Sequence, residues 1–181
     1  MSDRLVGSEM CIRDRNKLCT SKIEDFTNGS SFHRVLWDDA EKGSSSTELA
    51  NDKSIRRVVM CSGKVYFDLL EERDARGLND IYLLRFEQFY PFPAMSALKE
   101  LERFQNAEMV WCQEEPKNQG AWSFMEPNIE WVLSRMKAKF KRPIYVGRPA
   151  SASPATGLAS QHKEQQKLLV EEALNLKENK K

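Results

Sequence analysis

The chain has 181 residues, with 28 Lys and Arg against 27 Asp and Glu, which gives a net charge of +1. This near balance argues against a dedicated nucleic-acid binder, because such proteins usually carry a strong basic excess. No stretch approaches the ~20 apolar residues that a membrane span needs. With 40% hydrophobic residues, the chain is expected to form one ordinary domain, or one domain with a tail, without a disulfide or metal to hold it together.

The first fifteen residues, Met1 to Arg15, show neither a secretory apolar core nor a regular apolar period. Within them, LVGSEMCIRDR resembles the translated read-through of a sequencing adapter. We therefore expect residues 1–15 to be a disordered artefact; the alternative is a short natural arm. If they are an artefact, Met1 is not the biological start, and the lack of a targeting peptide carries no information.

Residues 16–54 are polar and turn-rich, and we interpret them as a segment that precedes the folded domain. Gly43 to Thr47 (GSSST) is typical of a flexible connector. Between the turns lies a short apolar island, Phe32 to Asp39. This island has too little apolar surface to fold by itself, so it is expected to pack onto something larger.

From residue 55 to residue 176 the chain alternates between strand and helix patterns, and residues 177–181 form a charged tail. Short apolar runs predict buried strands at Arg56–Gly63, Asp80–Phe86, Glu108–Cys112 and Pro143–Val146. Apolar residues at helical spacing predict helices over Lys64–Ala75, Ala94–Phe104, from Pro127 to Phe140, and over Gln161–Leu176. This alternation predicts an α/β fold: a three-layer αβα sandwich with a mainly parallel sheet.

Polar residues follow three of the predicted strands, at the sheet edge where ligands of α/β proteins usually bind. They are Ser62-Gly63-Lys64, Glu87-Gln88 and Gln113-Glu114-Glu115. The first group leads into a helix N-terminus that can hold an anion through backbone N–H groups. A lone Gly turn after a strand is more often purely structural, and the full phosphate-loop pattern is missing. Adjacent strand residues point to opposite faces, so Glu114 and Glu115 are a poor acid–base pair.

Sparse Cys and His residues do not predict a metal site, because the four cysteines have no C-x-x-C pair and only two histidines accompany them. Cys61 and Cys112 each end a hydrophobic run and are interpreted as small apolar core residues. The four tryptophans are expected to anchor the core or an interface rather than to stack on nucleic-acid bases.

Several long and unusual sequence segments resemble segments of one known family. These segments are FTNGSSFHRVLWDD (26–39), RVVMCSGKVYFDLL (57–70), RFEQFYPFP (85–93), VWCQEEPKNQGAW (110–122) and GRPASASPATG (147–157). They occur in this order and resemble the C-terminal domain of the thiamine-diphosphate-dependent first component of the 2-oxoglutarate dehydrogenase complex. The likeness covers roughly residue 17 to the end, short of the lysine-rich tail, and it implies a transketolase-like C-terminal α/β domain.

The resemblance implies a homodimeric enzyme that decarboxylates 2-oxoglutarate on thiamine diphosphate with a magnesium ion. Such an enzyme passes the succinyl group to the lipoyl-bearing succinyltransferase component, as part of the tricarboxylic acid cycle. It also implies that the cofactor and catalytic residues lie in two preceding domains that this chain lacks. We therefore expect a fragment that has no catalytic residue, binds no cofactor or metal, and is inactive in isolation.

Two sets of candidate residues follow for this part of the enzyme. Contacts with the missing N-terminal and central domains, or with the second subunit, are expected from an unusual polar group: Gln113, Glu114, Gln119, Trp122 and Arg148. The family also has a regulatory acyl-CoA site in some members, and a regulatory anion site here would use Ser62, Lys64 and Arg85.

Other readings of the sequence remain open. The chain could be a free-standing α/β regulatory module for an anionic small molecule such as acyl-CoA, or belong to a relative that acts on 2-oxoadipate. No nucleic acid or membrane is expected as a partner. A bacterial cytoplasm is favoured as the location, with the mitochondrial matrix as the alternative.

Overall fold

A computed structural model describes residues 18–21, 23–27 and 29–175 of the chain. In this part, the strands are β1 (Val35–Leu36), β2 (Arg57–Cys61), β3 (Ile81–Phe86), β4 (Glu108–Pro116) and β5 (Ile144–Arg148). The α-helices are α1 (Val65–Ala75), α2 (Ala94–Leu101), α3 (Trp122–Arg135) and α4 (Ala159–Ala173), and short 3-10 turns occupy Ile23–Phe26, Asp52–Ser54 and Glu102–Phe104. The predictions for residues 1–15 and 177–181 lie outside the described residues.

The five strands form one sheet in the order β1-β3-β2-β4-β5. Strands β2 to β5 are parallel to one another, and β1 pairs antiparallel with β3, with Val35 opposite Phe86. The predicted three-layer α/β fold with a mainly parallel sheet is confirmed. None of the helices in the described part is long and apolar enough to cross a bilayer.

Alternate residues of the three central strands point into two separate hydrophobic cores, one on each face of the sheet. Val58, Met60 and Trp111 pack with α2 and α3 on one face of the sheet. Val59, Cys61 and their neighbours pack with α1 and α4 on the other. This arrangement explains why the strands read as continuous apolar runs, since successive side chains point to opposite faces and both faces are covered.

Four helix and strand boundaries differ from the sequence prediction. Helix α3 begins at Trp122 instead of Pro127, because the side-chain oxygen of Gln113 accepts a hydrogen bond from the Trp122 backbone N–H at 2.9 Å and satisfies a donor of the first turn. The same helix ends at Arg135, so Phe140 lies beyond it. Strand β4 continues to Pro116, and α4 begins at Ala159.

The apolar island that precedes the domain is attached to the sheet through β1 and a buried ion pair, so the prediction that it packs onto a larger body is confirmed. Asp38 and Arg73 are both 0% exposed and their side chains form an ion pair. The Asp38 carboxylate also accepts hydrogen bonds from the backbone N–H groups of Leu83 at 2.7 Å and Ala40 at 2.9 Å. Arg73 in turn reaches the Ser45 hydroxyl at 3.2 Å. Residues 35–45 are thereby fixed to both α1 and β3.

Replacing Asp38 by Ala should strongly destabilise the fold, because Arg73 would lose its fully buried partner and keep only Asp74, at 3.2 Å, as a counter-charge. The expected loss is about 3–5 kcal/mol in the free energy of unfolding, measured by urea denaturation. The matched control is Asp39→Ala, at a partly exposed carboxylate whose nearest cation is Lys42 at 3.6 Å; it should cost about 1 kcal/mol or less. Equal losses in the two variants would contradict a special role for the buried pair.

Candidate functional site

An open cleft of about 680 Å³ lies at the carboxyl edge of the sheet. Its walls come from the turn after β2 (Ser62, Gly63 and Lys64), the end of β4 and the start of α3, with aromatic carbon from Phe89, Trp111 and Phe124. Gly63 takes a positive φ of 73°, a conformation that glycine adopts without strain, and so turns the chain from β2 into α1. This is the edge where α/β sheets usually bind their ligands.

The buried side chain of Gln113 links several residues around the cleft through hydrogen bonds. Its side-chain oxygen accepts from the Trp111 indole N–H at 3.0 Å and from the Trp122 backbone N–H at 2.9 Å. Its amide nitrogen donates to the carbonyl oxygens of Gln119 at 2.8 Å and of Glu115 and Pro116 at 3.2 Å. Because Gln113 is 4% exposed and its amide is occupied by these groups, it offers little surface to another domain.

The loop after β4 packs closely against this amide. Gly120 has a φ of 65°, and a Cβ atom there would lie 3.0 Å from the Gln113 side-chain nitrogen and from the Glu115 Cβ. A glycine is therefore required both by the backbone conformation and by the space. The side-chain amides of Asn118 and Gln119 both donate to the Ser151 carbonyl at 2.9 Å, which joins the QEEPKNQG loop to the GRPASASP loop.

Glu114 lies in the cleft beside Lys64, while Glu115 is exposed, so the prediction that these two carboxylates do not form a pair is consistent with their placement. The Glu114 carboxylate is 3.6 Å from the Lys64 ammonium, and Lys64 also pairs with Asp68 at 2.5 Å. Burial raises the pKa of Glu114 above its ordinary value, and Lys64 opposes this increase only in part.

The three residues of the predicted anion site do not all line the cleft. Ser62 and Lys64 line the cleft, but Arg85 is not among the lining residues. The Arg85 guanidinium lies 4.7 Å from the centre of the Tyr66 ring and pairs with Glu87 at 2.8 Å. Both cations therefore already have carboxylate partners within the chain, and regulatory anion binding at these residues stays a prediction.

Arg148 of β5 is buried against His162 of α4, a partner that the sequence did not suggest. The Arg148 Nη2 lies 2.9 Å from the His162 Nδ1. Since a guanidinium can only donate, Nδ1 must accept, which requires the neutral imidazole. Burial lowers the pKa of His162 below 6.5, and the positive charges of Arg148 and Lys64 lower it further, with Asp68 opposing them.

The remaining aromatic and thiol groups divide between interior and surface. Trp111 and Trp122 are buried in the core, whereas Trp37 and Trp131 are each more than two-fifths exposed. Cys61 and Cys112 are fully buried, as predicted, and burial raises the pKa of both thiols. These thiols stay protonated at neutral pH and do not serve as nucleophiles.

This geometry defines a three-layer α/β domain of the transketolase C-terminal type with a cleft at its carboxyl edge. A family model described as 2-oxoglutarate dehydrogenase C-terminal matches residues 20–174. The chain therefore belongs to this family, as the sequence segments predicted.

Curated relatives agree with the family model. The 2-oxoglutarate dehydrogenase E1 components of Brucella anthropi and Brucella ovis are each 57% identical to the chain over 161 residues, and that of Brucella abortus is 57% identical over 164 residues. Each match covers 88% of this chain and 16% of the relative. The chain thus spans about one sixth of the length of these relatives.

Replacing Gln113 by Leu should destabilise the domain, because two N–H donors and three carbonyl oxygens lose their buried partner. We expect the free energy of unfolding to fall by about 2–4 kcal/mol, measured by urea denaturation with tryptophan fluorescence as the signal. Gln119→Leu is the control, since the Gln119 side chain bonds to an exposed carbonyl; it should cost about 1 kcal/mol or less. A small loss in Gln113→Leu would show that the loop is held by other contacts.

The contribution of His162 to the free energy of unfolding should fall as the pH is lowered. The pKa of this histidine is lower in the folded chain than the ordinary 6.5, so the unfolded chain binds the proton first. The contribution of neutral His162 to the free energy of unfolding is complete above pH 6.5. It is lost as the pH falls from there towards the lower pKa of the folded chain. Thermal unfolding between pH 7.5 and 5.5 measures this, and His162→Gln should flatten the dependence. The control is Gln161→Ala at the neighbouring exposed position of α4, which should leave the slope unchanged because glutamine does not titrate.

Proposed function

We propose that the chain is the C-terminal part of a 2-oxoglutarate dehydrogenase first component. The whole enzyme decarboxylates 2-oxoglutarate oxidatively and transfers the succinyl group to a lipoyl group of the succinyltransferase component, within the tricarboxylic acid cycle. The observation that carries this proposal is the family match over residues 20–174, supported by 57% identity to E1 components. In this proposal, about five sixths of the enzyme lies outside the chain.

Within the enzyme, this domain supports the arrangement of the other domains and of the second subunit. Large apolar side chains that remain exposed support this role: Phe32, Trp37, Tyr90, Met95, Phe124 and Trp131. Exposed apolar side chains that form a contiguous patch on a soluble protein usually mark an interaction surface. Of the polar residues predicted to contact other domains, Glu114 and Gln119 are partly exposed, whereas Gln113, Trp122 and Arg148 are buried and act by holding the surface in shape.

The proposed cofactors belong to the rest of the enzyme. Thiamine diphosphate, bound with magnesium, supplies the nucleophilic carbon that makes loss of carbon dioxide from a 2-oxoacid possible. In the described ranges, the His, Cys, Asp and Glu side chains form no group of three or more that could hold a metal ion. The proposal places the magnesium ligands in the rest of the enzyme and assigns no step of the reaction to residues of this chain.

The competing proposals receive less support from the site. An anion-binding module would need unpaired positive charge in the cleft, whereas Lys64 is paired and Glu114 and Glu115 also line it. A preference for 2-oxoadipate would be set by substrate contacts elsewhere in the enzyme. The relatives are bacterial, which supports a cytoplasmic enzyme over one of the mitochondrial matrix.

The isolated 181-residue chain should show no decarboxylation of 2-oxoglutarate when thiamine diphosphate and magnesium are added, because this proposal assigns the catalytic groups to other domains. Release of carbon dioxide measures the activity, and the complete enzyme from the same source is the positive control. Removal of this domain from the complete enzyme should weaken its dimer, measured by light scattering. Turnover by the isolated chain, or an unchanged dimer after removal, would contradict the proposal.

A further inference from the structure

One carboxylate oxygen in the cleft lacks a hydrogen bond despite its burial. The Oε1 atom of Glu114 has no hydrogen-bond partner, and the side chain is only 18% exposed. Its nearest cation, Lys64, is 3.6 Å away, beyond hydrogen-bond distance, and lies closer to Asp68. A buried carboxylate oxygen without a hydrogen bond is costly, so Oε1 is suited to an incoming donor.

The charges that face Glu114 balance one another, so the ionised Glu114 carboxylate itself gives this part of the cleft its net negative charge. From α1 come Lys64 and Asp68, from β4 comes Glu115, and from β5 comes Arg148. Together with Glu114 itself, this makes three negative and two positive groups. His162 of α4, which faces Arg148, is neutral by the hydrogen-bond argument given above and does not change this balance.

Three aromatic side chains form another part of the cleft wall. Phe89, Trp111 and Phe124 line it together with Ala121. Aromatic rings bury apolar groups well and also attract cations to their faces. Acidic groups beside aromatic rings are a common arrangement for a cation carried on an apolar stem.

We propose that this cleft binds an ammonium or guanidinium group on an apolar or aromatic stem, with the cation at Glu114 and the stem against Phe89, Trp111 and Phe124. This assignment is opposite in charge to the anion site predicted from the sequence, and it holds whether or not the proposed enzyme function is correct. The group can be a Lys or Arg side chain from the rest of the polypeptide or a free small cation.

Three probes of one size and shape test the charge preference: benzamidinium, neutral benzamide and anionic benzoate. Each is titrated into the full 181-residue chain, and backbone amide signals of Gly63, Gly120 and Phe124 are followed by NMR. Benzamidinium should bind with a Kd of about 1 mM or tighter, benzamide should bind about tenfold more weakly, and benzoate should not shift these signals. Binding of benzoate ahead of benzamidinium, or no binding of benzamidinium, would overturn the proposal.

Glu114→Gln removes the charge and keeps the shape, and it should weaken benzamidinium binding about tenfold or more. The control is Glu71→Gln, which makes the same change at an exposed position of α1 and should leave the affinity unchanged. A second measurement needs no variant: affinity should rise with pH as Glu114 ionises, since the carboxylate is the binding form. Equal affinity in the two variants, or an affinity that falls as the pH rises, would refute the assignment to Glu114.

A last titration distinguishes the two sources of the cation. In the complete enzyme, benzamidinium binding should disappear if a basic side chain of the enzyme already occupies the cleft. It should persist, with the same loss in Glu114→Gln, if the cleft takes a free solute. Both results support the cation site, whereas persistent binding that is unaffected by Glu114→Gln would place the probe elsewhere and overturn the proposal.

Discussion

The buried ion pair between Asp38 and Arg73 is the contact on which the N-terminal half of this domain depends. Two full charges are withdrawn from water, which is tolerated only where further hydrogen bonds complete their coordination. The chain provides these from three separate places: the backbone of β3, the turn after Asp38, and Ser45. The pair therefore determines where a polar segment with little apolar surface of its own attaches to the sheet.

The cleft depends in a similar way on one neutral side chain. Gln113 links the last part of β4 to the first turn of α3 and to the loop between them. These hydrogen bonds join the segments that carry Trp111, Glu114 and Phe124, and such support is what holds a binding site in a fixed geometry. Arg148 and His162 brace the neighbouring strand and helix, so the polar residues of this edge mostly support its shape.

Apolar periodicity predicted the four parallel strands and four helices, because continuous apolar runs are what a sheet covered on both faces requires. It missed β1, since two residues are too short to show a period. It also placed the start of α3 at Pro127, because the side chain that accepts a hydrogen bond from the Trp122 N–H belongs to Gln113, which lies on β4 outside the helix. At the site, the sequence predicted that Ser62, Lys64, Gln113 and Glu114 would lie at the carboxyl edge of the sheet, because they follow the ends of parallel strands. Their partners were not predictable in general, because the pairing of Arg148 with His162 arises only from packing. The Lys64–Asp68 pair is the exception, since residues four apart on a helix are neighbours.

Both edges of the sheet are poor templates for adding another strand. At one edge, β1 offers only two residues; at the other, the five residues of β5 lie between Pro143 and Pro149, neither of which has a backbone N–H to donate. Short edges and prolines are the means by which natural proteins prevent edge-to-edge pairing. Copies of this domain are therefore protected from fibril-like growth, and its association with other protein surfaces must use side chains in place of backbone hydrogen bonds.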